Sequence, residues 1–120
     1  MADSGNTGIR RILKATVYSW QGLKASYQNE EAFRQELMLA IVMIPLGFYL
    51  GNTVIEKLLL ILSVLLLLLV EVLNSAIEAV VDRFGGEMHE LSGRAKDMGS
   101  AAVFIAIAMM LLTWTLILIG

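Results

Sequence analysis

In residues 64–83, VLLLLLVEVLNSAIEAVVDR, a run of leucines passes without a break into Glu71, Asn74, Glu78 and Asp82. The spacings of three, four and four are those of one helical face. The segment therefore predicts one continuous helix, greasy at one end and lined with three carboxylates and an amide at the other. Charged side chains in or beside hydrocarbon are costly, so a face that carries several marks a functional site.

The rest of the chain supports a membrane setting. Of its 120 residues, 58% are hydrophobic, well above a soluble domain of this size. Residues 98–119, MGSAAVFIAIAMMLLTWTLILI, hold no charge over a length that crosses a core of roughly 30 Å. A helix over 54–82 would be about 43 Å long, so its charged end stands at or beyond the interface. Counting from Val54 puts Glu71 about 26 Å along it, at headgroup depth. Residues 32–50 form a shorter span, with its first turn partly embedded and Pro45 predicted to kink it. Gly51, Asn52 and Thr53 make the turn between the first two spans, and Asn52 or Thr53 is the expected N-cap. No signal peptide is expected, because MADSGNTG is polar and no apolar stretch follows early enough. With no Cys, disulfide scaffolds and thiolate metal sites are excluded.

Eight of the nine Lys and Arg residues fall in two places. Arg10, Arg11, Lys14, Lys24 and Arg34 precede or open the first span, and Arg83, Arg94 and Lys96 lie between the second and third. The positive-inside rule puts the N-terminus and the 83–95 loop in the cytoplasm and the C-terminus outside, in agreement with the parity of three spans. Residues 8–28 place Ile9, Leu13, Val17, Trp20, Leu23 and Tyr27 on one side and Arg10, Arg11, Lys14, Tyr18 and Gln21 largely on the other. That pattern predicts an amphipathic helix lying in the membrane interface. The expected architecture is an all-α integral membrane domain over 1–120: a surface helix (8–28) and three spans (32–50, 54–82, 96–119). Three spans bury few polar groups on their own, so the carboxylate stripe needs a partner surface and a homo-oligomer is expected. Ala76, Ala79, Gly99, Ala101, Ala102 and Ala106 offer small surfaces for close helix packing.

Four groups converge at the cytoplasmic interface. They are the stripe itself, the Asn29-Glu30-Glu31 run with Glu36 beyond it, the segment GGEMHELSGRAKD (85–97), and the basic face of the surface helix. Carboxylates there can hold hydrated Mg²⁺, whose shell phosphate oxygens complete, and Arg and Lys can hold polyphosphate. Taken singly, each residue has an ordinary reading as well. Glu71 could pair with a neighbour, Glu78 and Asp82 could be solvated, Lys96 and Asp97 could cap the third span, and the lone His89 and the glycines at 85, 86 and 93 could be loop residues. The convergence carries the signal. No GxxxxGK[ST], HRD, DFG, GxSxG or HExxH occurs, so a nucleotide enzyme built here uses none of those arrangements.

The stretches EVLNSAIEAVVDR (71–83) and HELSGRAKDMGSAAV (89–103) resemble the signature of the bacterial integral-membrane diacylglycerol kinases. GIRRILKA, YSW, GLKA and NEEAFRQE in the first 36 residues are similar to that family's surface helix and entry to its first span. The resemblance covers nearly the whole chain, and the undecaprenol kinases share the core motif. It implies a homotrimeric bundle in the bacterial inner membrane, with sites shared between subunits and no nucleic-acid partner. It implies transfer of the γ-phosphoryl of MgATP to the primary hydroxyl of diacylglycerol, giving phosphatidic acid. Under it Glu71 is the general base, and Glu30 and Glu78 hold Mg²⁺. Lys96 binds phosphates, and Arg11, Tyr18, Glu87, Met88, His89 and Asp97 meet ATP together with the two metal carboxylates. Arg11, Ala15, Ser19, Trp20, Lys24, Ala32, Glu36 and Ser100 line the lipid's path, while Asn74 and Asp82 support the site.

Three alternatives stand beside this reading. An undecaprenol kinase keeps the chemistry and changes the lipid, although the full-length surface helix leans toward diacylglycerol. A small proton-coupled transporter would use Glu71 as a relay, but the carboxylates gather at one membrane face instead of the midplane. A membrane-anchored scaffold needs none of this chemistry.

Overall fold

A computed structural model describes residues 7–84 and 90–120. It contains four helices: α1 (Gly8–Asn29), α2 (Glu31–Leu50), α3 (Val54–Asp82) and α4 (Glu90–Ile119). The described residues hold no strand. Helices α2, α3 and α4 are each long and apolar enough to cross a membrane. The chain measures 47 × 42 × 21 Å. The first extent matches a 30-residue helix at about 45 Å. Helix α1 packs only lightly on α2 and α3 and is exposed along most of its length.

The interior is one seam. Leu60, Val64 and Leu67 of α3 pack with Ala40 of α2 and Ala106, Met110 and Trp114 of α4. Between helices in lipid there is no net transfer of apolar surface out of water, so van der Waals fit and polar contacts hold this seam together. Trp114 supplies both. Its indole Nε1 donates to the Leu60 carbonyl at 3.1 Å and to Ser63 Oγ at 3.2 Å. The Ser63 hydroxyl in turn donates to the Leu60 carbonyl at 2.8 Å. Gly47 lets α2 close on this point, because a Cβ there would lie 3.2 Å from Leu60 Cβ and 3.7 Å from Trp114 Cζ2. Two residues earlier Pro45 removes the N–H that would bond Ile41, yet α2 continues through it to Leu50. The opposite face of α3, Leu58, Leu62, Leu65, Leu69 and Leu73, is exposed in the chain.

Local hydrogen bonding sets the helix ends. Thr53 is the N-cap of α3: its Oγ1 accepts the Glu56 N–H at 3.1 Å, and the Glu56 carboxylate accepts the Asn52 N–H at 2.9 Å. Of the two candidates at this turn, the structure selects Thr53. Helices α1 and α2 are separated by Glu30 alone, which is extended at φ −122°, ψ 110°. The Arg34 guanidinium closes this joint by donating to the Tyr27 carbonyl at 2.7 Å. Asn29 Nδ2 donates to the Ala25 carbonyl at 2.9 Å. A cation on the last carbonyls of a helix satisfies acceptors with no intrahelical partner and complements the helix dipole.

The loop expected over 83–95 is shorter than the sequence suggests, because α4 already starts at Glu90. Gly93 and the charges around it read as loop chemistry. In the structure Arg94 and Glu90, one turn apart, form an ion pair at 3.6 Å along the helix surface. Lys96 and Asp97 therefore sit well inside α4 and do not cap it.

Candidate active site

The polar stripe continues the core seam. Along α3 the inward positions run Leu60, Val64, Leu67, Glu71, Asn74 and Glu78, at alternating steps of four and three that end in a four. The residues are apolar up to Leu67 and polar from Glu71. Helix α2 does the same in the opposite direction, its inward positions running from Gly47 and Ala40 to the half-buried Glu36. The helices thus deliver their carboxylates to one end of the bundle by the geometry that packs their leucines.

At the inner end of this cluster Glu71 is only 4% exposed. The Glu36 carboxyl from α2 comes within hydrogen-bonding reach of it. Glu36 Oε2 is shielded and has no partner. Further out, the one-residue break between α1 and α2 places Glu30 so that its carboxyl reaches Glu78. Beyond them Lys96 Nζ of α4 pairs with Asp82 Oδ1 at 2.9 Å, and its charge also acts on Glu78. Glu36, Glu71, Glu30, Glu78, Asp82 and Lys96 form a ladder built from α2, α3, α4 and the joint that follows α1, from the apolar seam to the aqueous edge.

A cleft of ≈ 450 Å³ opens between α1 and α3 on the outer half of this ladder. Glu30, Glu78 and Asp82 line it together with Gly22, Ser26, Asn29, Ser75 and Ala79. On the α1 side the i, i+4, i+8 row of Gly22, Ser26 and Glu30 lines it beside Ala25 and Asn29; the small residues leave the opening, and Glu30, just past the helix, carries the charge. The sequence pattern does not single out Ser26 or Ser75; for Ser26 the signal available is that row, eclipsed by the stronger amphipathic pattern of α1. Among the described residues no cluster of three or more His, Cys, Asp or Glu is disposed to hold a metal ion unaided. The Glu30–Glu78 pair nevertheless supplies two hard carboxylate donors at the cleft, a set that suits Mg²⁺ completed by water and phosphate.

A family model described as prokaryotic diacylglycerol kinase matches residues 17–118. A diacylglycerol kinase of Haemophilus influenzae is 56% identical over 108 residues, covering 90% of this chain and 92% of the relative. One of Escherichia coli is 55% identical over 115 residues, covering 96% and 94%. One of Pseudomonas aeruginosa is 52% identical over 116 residues, covering 97% and 94%. The chain belongs to the prokaryotic diacylglycerol kinase family. With membership comes the activity class: the chain is a lipid kinase, an enzyme built on three apolar helices. The transporter and scaffold alternatives are set aside.

Not every residue named from the sequence meets the ladder within the chain. Arg11 lies in a surface hollow with Gly8, Ile12 and Ala15, and Tyr18 in another with Arg10, Leu13, Lys14 and Val17. Arg11 stands 19 residues before Glu30, roughly 28 Å along α1. Trp20 and Lys24 border an apolar crease of ≈ 380 Å³ with Leu23, Tyr27, Phe33 and Leu37, at the angle of α1 and α2. Ser19, Ala32, Asp97 and Ser100 are exposed. Glu87, Met88 and His89 lie outside the described residues.

Proposed function

We propose that the protein transfers the γ-phosphoryl group of ATP to the primary hydroxyl of diacylglycerol, giving phosphatidic acid, at the cytoplasmic face of a bacterial inner membrane. The observation that carries this reading is the ladder. It joins a buried carboxylate at the end of an apolar seam to a polar cleft at the aqueous edge, so one site meets substrates of opposite solubility. Glu71, nearest the seam, takes the hydroxyl proton. The freed oxygen forms a bond to the γ-phosphorus, the bond from that phosphorus to its bridging oxygen breaks, and ADP leaves. Glu30 and Glu78 hold Mg²⁺, which when bound neutralises phosphate charge. Lys96, now paired with Asp82, offers its ammonium to the phosphates as they enter. Asn74 and Asp97 orient the groups around them. Phosphoryl transfer asks for this positioning and charge neutralisation more than for covalent help.

Arg11, Tyr18 and the segment 87–89 are assigned to ATP, and the crease at Trp20 and Lys24, with Ala15, Ser19, Ala32, Glu36 and Ser100, to the lipid. The 28 Å between Arg11 and Glu30 supports sites built between subunits of a homotrimer, in which one protomer's α1 serves its neighbour. The lysine and arginine distribution supports a cytoplasmic N-terminus and an external C-terminus.

The test is a mixed-micelle assay with radiolabelled ATP and either diacylglycerol or undecaprenol. Label in phosphatidic acid is the expected result. Label in undecaprenyl phosphate alone would move the specificity, and label in neither would remove the assignment.

A further inference from the structure

Gly99 lies on the buried face of α4, at the cytoplasmic end of the row that continues through Ala106, Met110 and Trp114. A Cβ at this position would collide with the side-chain oxygen of Asn74 and come within 3.3 Å of its carboxamide carbon. That oxygen is itself buried and has no hydrogen-bond partner. Glycine is a poor residue for a helix interior. Where helices merely cross closely, the atoms that exclude a Cβ are backbone or the root of a side chain, as at Gly47 against Leu60 Cβ. At Gly99 they belong to the tip of one polar side chain, which stands on α3 between Glu71 and Glu78.

We infer that Gly99 is a positioning residue for phosphoryl transfer: its missing Cβ forms the slot that seats the Asn74 carboxamide within the carboxylate ladder. The inference rests on the proposed reading that Asn74 serves the site. It makes an unusual prediction about sign. A methyl group at position 99 is accommodated by swinging Asn74 aside, a rotation about a flexible side chain that leaves the helix backbones in place. Alanine is also the better helix former. Gly99→Ala therefore keeps or raises stability while it displaces Asn74. A spacer glycine needed only for close packing gives the reverse, with stability and activity falling together.

The experiment compares Gly99→Ala, Asn74→Ala and Ala106→Val, each purified as the full chain in lipid-containing micelles. It reads kcat and KM for MgATP and diacylglycerol beside the midpoint of thermal inactivation. Ala106→Val perturbs the same α3–α4 seam away from the site. Gly99→Ala is expected to lose at least tenfold in kcat with KM for diacylglycerol within twofold and an unchanged or higher midpoint, whereas Ala106→Val lowers the midpoint and keeps kcat within twofold. Wild-type kcat in Gly99→Ala, or a midpoint that falls in step with its activity, overturns the inference. If Asn74→Ala is impaired and Gly99→Ala is not, only the slot is wrong. If Asn74→Ala is fully active, the assignment of Asn74 to the site fails with it.

Discussion

Glu71 and Glu78 lie on one helix face two turns apart, yet the structure gives them different surroundings. Glu71 is buried at the end of the apolar seam against Glu36, and Glu78 faces Glu30 on the wall of an open cleft. Their amides should fail in different ways. Glu71→Gln keeps the shape and removes the proton acceptor, so turnover should fall by 10² or more, the scale of a lost general base, while ATP still binds. Single-turnover kinetics beside nucleotide binding checks this, and near-normal turnover would remove Glu71 as base. Glu78→Gln takes one donor from the pair assigned to Mg²⁺, so the Mg²⁺ concentration for half-maximal rate should rise severalfold or activity be lost. An unchanged Mg²⁺ titration would count against a metal role.

At the scale of elements, one residue separates α1 from α2, and Arg34 reaches back across it. Arg34→Ala removes the cation on the last carbonyls of α1, an interaction of about 0.3–1 kcal/mol. Because Glu30 is the joint itself, that loosening should appear as a roughly two- to fivefold drop in kcat/KM for MgATP. Steady-state kinetics at saturating lipid measures it. Trp114 makes the contrasting case at the other end of the bundle, about 22 Å along α4 from Gly99. Trp114→Phe loses both indole hydrogen bonds to α3, worth about 1–2 kcal/mol. It should shorten the thermal inactivation half-life and leave kcat unchanged at low temperature.

For the whole molecule, a single chain assembles the carboxylate ladder but leaves Arg11 and Tyr18 out along α1. If α1 of one subunit completes the cleft of the next, two inactive variants with lesions in different halves of the site should complement. Arg11→Ala mixed with Glu71→Gln, unfolded together and reassembled in lipid, should regain up to about a quarter of wild-type turnover; failure of every such pair would place each site within one subunit. The exposed leucine row of α3 and the apolar face of α1, both uncovered in the single chain, would give such an assembly surface to use.

Much of this was written in the chain. Three apolar stretches, the period of Glu71, Asn74, Glu78 and Asp82, and the charge asymmetry are local properties, because a helix closes its own hydrogen bonds and its period alone decides which residues share a face. The sequence thereby determined the membrane-spanning all-helical class and the point along the second span at which the carboxylates begin. It did not determine their partners. That Glu36 meets Glu71, Glu30 meets Glu78, Lys96 meets Asp82 and the Asn74 carboxamide fills the space left at Gly99 depends on the rotation and relative height of four helices. Side-chain packing along the Leu60–Trp114 seam fixes both quantities, and no single helix contains them. The start of α4 at Glu90 was hidden for a similar reason, since glycine and charged residues suit a loop as well as a helix and an ion pair one turn apart shows only once the turn exists.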